Sequence, residues 1–260
     1  MTRDDTNGME RHDPFARSDV DGLASQVISV LRDRQGPGTT GTRQFILDYL
    51  VRVIIDPRQF DAMLVLDQLR GYRLTTDAII DLYVPEAAQR LGEDWMRSDI
   101  DFATVTIGAL RLQNLLSEAA AEIPHLPIYD ATRLSALIIV PDGEQHFLGA
   151  SVAGAQLRRL GCDVKISFCE TEDMLQDRLS YDAPDMVLFS CARLAALETI
   201  TKTVKSLRSS VEPVPVLALG GPLSGKADGI REKTGVDLVT NTVKEVVAVC
   251  TKRCKALDGS

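Results

Sequence analysis

The sequence has little that would fix it to a membrane or to nucleic acid. No apolar run approaches the roughly 20 residues that a bilayer-spanning helix needs. The opening M-T-R-D-D-T-N-G has no apolar core of an export signal either. Cations are in deficit: 29 Lys and Arg against 37 Asp and Glu leave a net charge of −8 over 260 residues. Phosphate backbones repel such a chain, which disfavours direct contact with DNA. The one dense basic stretch, Lys252-Arg253-Cys254-Lys255, reads as a solvated helix end whose cations suit the helix dipole. There is no C-x-x-C, and the five cysteines are an odd number in a chain not expected to be exported. That combination points to reduced thiols and a cytoplasmic protein. Cys250 and Cys254, one helical turn apart, read as helix cysteines rather than as a disulfide or metal pair. Histidine is scarce, with only His12, His125 and His146, and the first two read as solvated. What is present, 45% hydrophobic and 25% charged residues, is the mix of a globular protein of one large or two ordinary domains.

The periodicity changes near residue 130. Residues 1–41 are polar and end in the connector Q-G-P-G-T-T-G, with a short amphipathic helix expected through Val20, Leu23, Val27, Val30 and Leu31. Residues 42–125 repeat at helical spacing in four stripes. The first, Phe45, Ile46, Tyr49, Leu50 and Val53, is stopped by Asp56-Pro57; the second runs from Phe60 to Gly71. A third starts at Thr75 or Thr76 and should bend at Pro85; Asp101 can cap a fourth through Val105, Leu112, Leu115 and Leu116. Four such helices with short turns predict an antiparallel bundle. After a linker at 126–133, residues 134–260 alternate short β-rich runs with helical stretches. The spacing predicts strands at Leu134–Val140, Val164–Phe168, Met186–Phe189, Val214–Leu219 and Leu238–Val239, and helices beginning near Ala150, Glu172, Leu194, Lys226 and Val243. Five βα repeats with apolar strands imply a doubly wound, flavodoxin-like parallel sheet, whose loops after strands one, three and four meet at the topological switch point.

Those loops carry the chemistry. The first reads Glu144-Gln145-His146-Phe147-Leu148-Gly149, directly after the first strand. A neutral imidazole is a good metal ligand, its second nitrogen needs an acceptor such as the Glu144 carboxylate, and Gly149 lets a bulky group approach the backbone. Alone, E-x-H-x-x-G is weak, and a surface histidine is the plain alternative. Ser190-Cys191-Ala192 follows the third strand and Gly220-Gly221 the fourth. Each has an ordinary explanation, a helix cap for Ser190 and an α/β turn for the glycines. Cys191 reads as a small buried thiol, and Trp95 is open between a core aromatic and a ligand contact.

The joint order E-x-H-x-x-G, S-x-A, G-G resembles the cobalamin-binding domain of methionine synthase and its relatives, whose pattern is D-x-H-x-x-G, S-x-L, G-G. The resemblance implies that His146 is the lower axial ligand of cobalt and that Glu144 is hydrogen-bonded to it. It also implies that Gly149, Ser151, Ser190, Gly220 and Gly221 line a groove for the displaced nucleotide tail. Glu144 stands where the family has aspartate, and Ala192 where it has leucine. Y-V-P-E-A-A-Q-R-L-G-E-D-W, residues 83–95, is similar to the helical cap of the same family. Trp95 matches a tryptophan that lies over the upper ligand in CarH-type light sensors, whereas Val105 and Thr106 replace a Glu-His pair found there. D-x-x-F-A-T-V-T-I-G-A-L-R-L-Q, residues 99–113, is similar to the cap of the AerR/PpaA group of antirepressors, and the resemblance covers roughly residues 42–255.

That group implies a light-responsive cobalamin regulator, non-enzymatic and cytoplasmic, acting on a PpsR/CrtJ-type repressor of photosynthesis genes and touching DNA only through it. The cofactor would be hydroxo-, aquo- or adenosylcobalamin. A corrinoid methyl carrier, a haem sensor and a cofactor-free scaffold are the competing expectations.

Overall fold

The computed structural model describes residues 39–123, 133–144, 147–170, 172–223 and 229–258. The expected N-terminal helix, His12, the linker with His125, and His146 itself lie outside the described residues. Compact packing divides the chain within its first helix, into Met1–Asp48 and Tyr49–Ser260. Of the first unit, the part from Thr39 is helical, with the Gln44 side chain donating to Asp48 one turn on.

Helix α1 (Thr39–Ile55) takes in Thr39, Thr40 and Gly41 of the expected connector. The second unit continues with α2 (Ala62–Gly71), whose first turn is capped by Asp61 accepting the Leu64 N–H at 3.1 Å. Thr75 caps α3 (Thr76–Ala78) by accepting the Ala78 N–H. One π-helical turn, Ile79–Tyr83, then leads into α4 (Val84–Met96), with the Val84 N–H reaching back five residues to the Ile79 carbonyl. The irregularity thus precedes Pro85 rather than sitting on it. Proline donates no N–H, and its ring crowds the carbonyl four residues earlier, so the widened turn just upstream absorbs the misfit. Asp101 caps α5 (Phe102–Ala121) by accepting the Thr104 N–H at 2.7 Å. Its buried face is Gly108, Leu112, Leu115, Leu116 and Ala119. Gly108 is where Leu91 of α4 enters, since a Cβ there would stand 2.8 Å from the Leu91 Cδ1. The Arg111 guanidinium ties α5 to the end of α1, donating to the carbonyls of Ile54, Asp56 and Arg58.

Five parallel strands follow, in the order β2-β1-β3-β4-β5. They are β1 (Ser135–Val140), β2 (Asp163–Phe168), β3 (Met186–Ser190), β4 (Val216–Gly220) and β5 (Leu238–Val239). Between them run α6 (Phe147–Arg159), α7 (Glu172–Asp182), α8 (Ala196–Ser210) and α9 (Ile230–Thr234), and α10 (Val243–Asp258) closes the chain. This is the flavodoxin-like sheet expected from the alternation of patterns, with its switch point between β1 and β3. Alternate residues of each strand face opposite cores. Leu137, Ile139, Phe189 and Leu219 pack with α7, α8 and α9, and Ala136, Ile138, Leu188 and Ala218 pack with α6 and α10. Ser190 ends β3 six residues before α8 begins, so it does not cap that helix.

Two further expectations change and one open point is decided. Helix α6 starts at Phe147, three residues earlier than the apolar pattern indicated. Trp95 is 49% exposed, so it is not a core aromatic of the bundle. The basic stretch on α10 is not wholly solvated: Arg253 donates to the carbonyls of Val214 and Pro215 and lies 3.4 Å from Asp237.

Asp237 is the polar anchor at the start of β4 and β5. Its carboxylate accepts the Leu217 N–H at 2.9 Å and an Arg208 guanidinium bond at 2.8 Å. Burial alone would raise its pKa, but the Leu217 N–H and the Arg208 and Arg253 charges outweigh it and hold the carboxyl below its ordinary value. A lowered folded-state pKa contributes stability that is complete above the unfolded value of about 4 and fades as pH falls through the folded value. Asp237→Asn should therefore cost about 1–2 kcal/mol at pH 7, and the difference from wild type should shrink between pH 4 and pH 2. Urea midpoints measured across that range check this; a difference independent of pH would reject it.

Candidate functional site

The site is built where β1, β3 and β4 end. After Val140 the chain turns through Pro141, whose carbonyl accepts the Glu144 N–H at 3.1 Å. Gly143 occupies the left-handed region at φ 74°, which glycine adopts without penalty. The turn delivers Glu144 into the protein, where it is 1% exposed. A buried carboxylate needs donors. Glu144 Oε2 accepts the backbone N–H of Ala192 at 2.9 Å, which binds the loop after β1 to the loop after β3. In the opposite sense, the Arg193 guanidinium donates to the Gly143 carbonyl.

The β3 loop is joined in turn to β4. The Cys191 N–H donates to the Gly220 carbonyl at 2.9 Å, extending the ladder one step past the Ser190–Gly220 pair. Gly221 has φ 119°, and a Cβ on it would fall 2.3 Å from the Cys191 carbonyl oxygen. A Cβ on Gly220 would fall 2.9 Å from the Thr240 carbonyl oxygen. The Asn241 side chain accepts the Gly221 N–H at 2.7 Å. The two glycines are thus required by the close passage of three backbone segments. Gly149 differs: it is exposed, and among the described residues an added Cβ would find only the Ser190 Oγ, at 3.9 Å. Glu144, Gly149, Ser190, Gly220 and Gly221 are therefore gathered at one edge of the sheet. Ser151 lies within α6 with its hydroxyl donating to the Phe147 carbonyl, and Trp95 stands at the far end of α4.

Cys191 is fully buried. Burial and the neighbouring Glu144 charge raise its thiol pKa, against the lowering influence of Arg193, so it is an inert packing thiol. The Cys250 thiol is likewise pushed up to about 12, first by burial and then by Cys254. Among the described residues no group of three or more His, Cys, Asp or Glu side chains could hold a metal ion, and no helix is long and apolar enough to cross a membrane.

Three site features escape a reading of the sequence. The Ala192 N–H acts through the backbone, so nothing in the residue type signals it. Arg193 is a lone cation in an apolar loop, which was the available signal. Phe147 and Phe168, 21 positions apart, meet edge to face at 5.4 Å beside the loop, with Phe168 45% exposed.

Helix α6 also reaches the bundle. Arg159 donates to Asp77 at 2.7 Å and to Asp81 at 2.5 Å, and Gln156 donates to the same Asp81 oxygen at 3.0 Å. The helix that begins beside the site thus ends on the π-helical turn ahead of Trp95.

No protein-family model matches the chain. It is 32% identical over 185 residues to a 20.5 kDa protein encoded in the bchF-crtJ intergenic region of Rhodobacter capsulatus, an alignment covering 71% of this chain and 96% of that one. The chain belongs to that protein's family. Among solved structures, the monomethylamine corrinoid protein of Methanosarcina barkeri superposes with a TM-score of 0.64 at 13% identity, over 81% of this chain and 99% of that chain. The two share a fold. A cobalamin-binding protein from Desulfitobacterium hafniense matches over 82% of this chain and 96% of its own, at 15% identity and a TM-score of 0.42.

The glycines divide into two kinds, and substitution separates them. Gly221→Ala should cost at least about 2 kcal/mol, because its positive φ and the Cys191 carbonyl both oppose a side chain. Gly149→Ala, in the first turn of α6 with open space beside it, should leave stability unchanged or raise it by up to about 1 kcal/mol. Denaturation midpoints of the two variants, without added ligand, check the contrast; equal losses would reject it.

Proposed function

We propose that this chain is a cobalamin-binding regulator without catalytic turnover, and that light acting on the bound cofactor changes its affinity for a PpsR/CrtJ-type repressor. The observation that carries the cofactor reading is the tie of Glu144 to the Ala192 N–H, two residues before His146. It holds the beginning of the E-x-H-x-x-G loop at the carboxyl edge of β1, where doubly wound sheets bind their ligands.

The described residues suit a corrinoid. Gly149, Ser190 and Gly220 set a line of small, partly exposed residues along that edge. The Phe147–Phe168 pair offers an apolar surface next to it, of the kind that a flat macrocycle covers. His146 would hold cobalt from below, with Glu144 as its hydrogen-bonding neighbour, and Ser151 and Gly221 would border the nucleotide tail. Trp95, half exposed on α4, is available for the upper face. When bound, cobalamin would supply a cobalt centre whose upper bond or weak upper ligand responds to light. The fold shared with a corrinoid protein supports this cofactor over haem.

The regulatory half of the reading rests on the relative encoded between bchF and crtJ, together with the AerR/PpaA-like sequence at residues 99–113. The acidic surface suits a protein partner better than DNA. A methyl carrier for a methyltransferase system is the second reading, because the superposable Methanosarcina protein is the corrinoid protein for monomethylamine. Methyl transfer in darkness by the purified protein, with a methyltransferase present, would favour that reading.

Mixing the protein with hydroxocobalamin should shift the corrin bands, and illumination should change both the spectrum and the binding of a PpsR/CrtJ-type repressor. His146→Ala should weaken uptake by more than the roughly 10–100-fold typical of losing an outer-shell partner, and should abolish the shift. Unaltered affinity and spectrum in that variant would reject the ligand role of His146. A Soret band from added haem, with no corrin uptake, would reject the cofactor.

A further inference from the structure

We infer that Arg193 is a positioning residue for corrinoid binding, holding the loop after β1 through the Gly143 carbonyl; this rests on the cobalamin reading above. The two loops are joined by a reciprocal pair of bonds. Glu144 reaches from the first loop to the Ala192 N–H of the second, and Arg193 reaches from the second to the Gly143 carbonyl of the first. A single bond lets a loop swivel about it, whereas two bonds from adjacent residues fix both position and rotation.

The root of Arg193 is rigid. Its carbonyl accepts the Ala196 N–H at 3.1 Å in the turn that opens α8, and it also accepts the Cys191 thiol at 3.3 Å. The guanidinium is therefore a strut from a fixed base. The receiving residue is shaped for it: a Cβ on Gly143 would stand 3.0 Å from Arg193 Nη2, and its φ of 74° is one that glycine adopts without strain. Arginine suits this role better than lysine because its planar fork keeps a fixed direction.

Arg193 is itself exposed, so its removal should leave the fold intact. The test uses the full chain as wild type, Arg193→Ala, Arg193→Lys and His146→Ala. Each is titrated with hydroxocobalamin in the dark, with corrin band positions followed from pH 8 to pH 4 and melting recorded without cofactor. Arg193→Ala should melt within about 2 °C of wild type, as surface substitutions do. It should bind about tenfold more weakly and lose the imidazole-bound spectrum at higher pH than wild type. Arg193→Lys should restore part of both. Wild-type affinity and an unmoved pH profile in Arg193→Ala, while His146→Ala loses binding, would overturn the role of Arg193 and leave the cobalamin reading standing. A wild-type chain that takes up no hydroxocobalamin would overturn both.

Discussion

A carboxylate taken almost wholly out of water must be met by donors that the fold itself supplies, and Glu144 imposes that demand at the point where three loops converge. The donor seen is a backbone N–H, that of Ala192, and its position is fixed because the Cys191 N–H just before it extends the β3–β4 ladder to Gly220. The sheet's hydrogen bonding therefore runs one residue past β3 and then passes sideways to β1 through a side chain. A carboxylate held in this way organises the edge without adding bulk to it. The extra methylene of glutamate over aspartate gives reach, and alanine at 192 leaves its own N–H uncrowded.

The glycines at this edge look alike in sequence and do different work. Gly220 and Gly221 are where backbone meets backbone, at separations that no Cβ tolerates. Their necessity follows from the fold, whatever binds there. Gly149 is exposed, and among the described residues only the Ser190 hydroxyl comes within 4 Å of where its Cβ would be. Gly149 and Ser190 are thus the small residues of the motif whose size the described backbone does not itself require. A motif of small residues thus mixes positions that build the edge with positions that keep it clear, and only geometry tells them apart.

The architecture was legible because hydrophobic period carries it. Strands that alternate between two buried faces, as Ala136 to Val140 do, read as continuous apolar runs, and the bundle helices read at helical spacing, with the caps legible at Thr75 and Asp101 and not at Asp61. Errors fell where local chemistry yields to tertiary context. Helix α6 takes in Phe147, which packs on Phe168 of a neighbouring strand, a contact that periodicity does not encode. The π turn lies upstream of Pro85 because the chain accommodates a proline ring before it, not at it. Arg253 left its expected place in solvent because two strand-entry carbonyls lie within its reach. At the site, the residue types Glu144, Gly149, Ser190, Gly220 and Gly221 were legible from their order. The backbone donor of Ala192 and the strut from Arg193 were not, since a main-chain group has no letter and one cation has no spacing.

Helix α6 gives the site a mechanical reach beyond its own loops. It is 13 residues long, begins beside the E-x-H-x-x-G loop, and ends with Arg159 and Gln156 on Asp77 and Asp81. The energies decide what such a link can do. Arg159 is only 18% exposed, but Asp77 and Asp81 are 73% and 41% exposed, so solvent screens each pair to about 1 kcal/mol or less. Ala150 and Leu157 of α6 are buried in the core against the sheet, and that burial is the stronger hold on the helix. The ion pairs therefore add orientation at the far end of α6 rather than most of its stability. They tether that end to the π turn, while the buried face of the helix fixes it on the sheet.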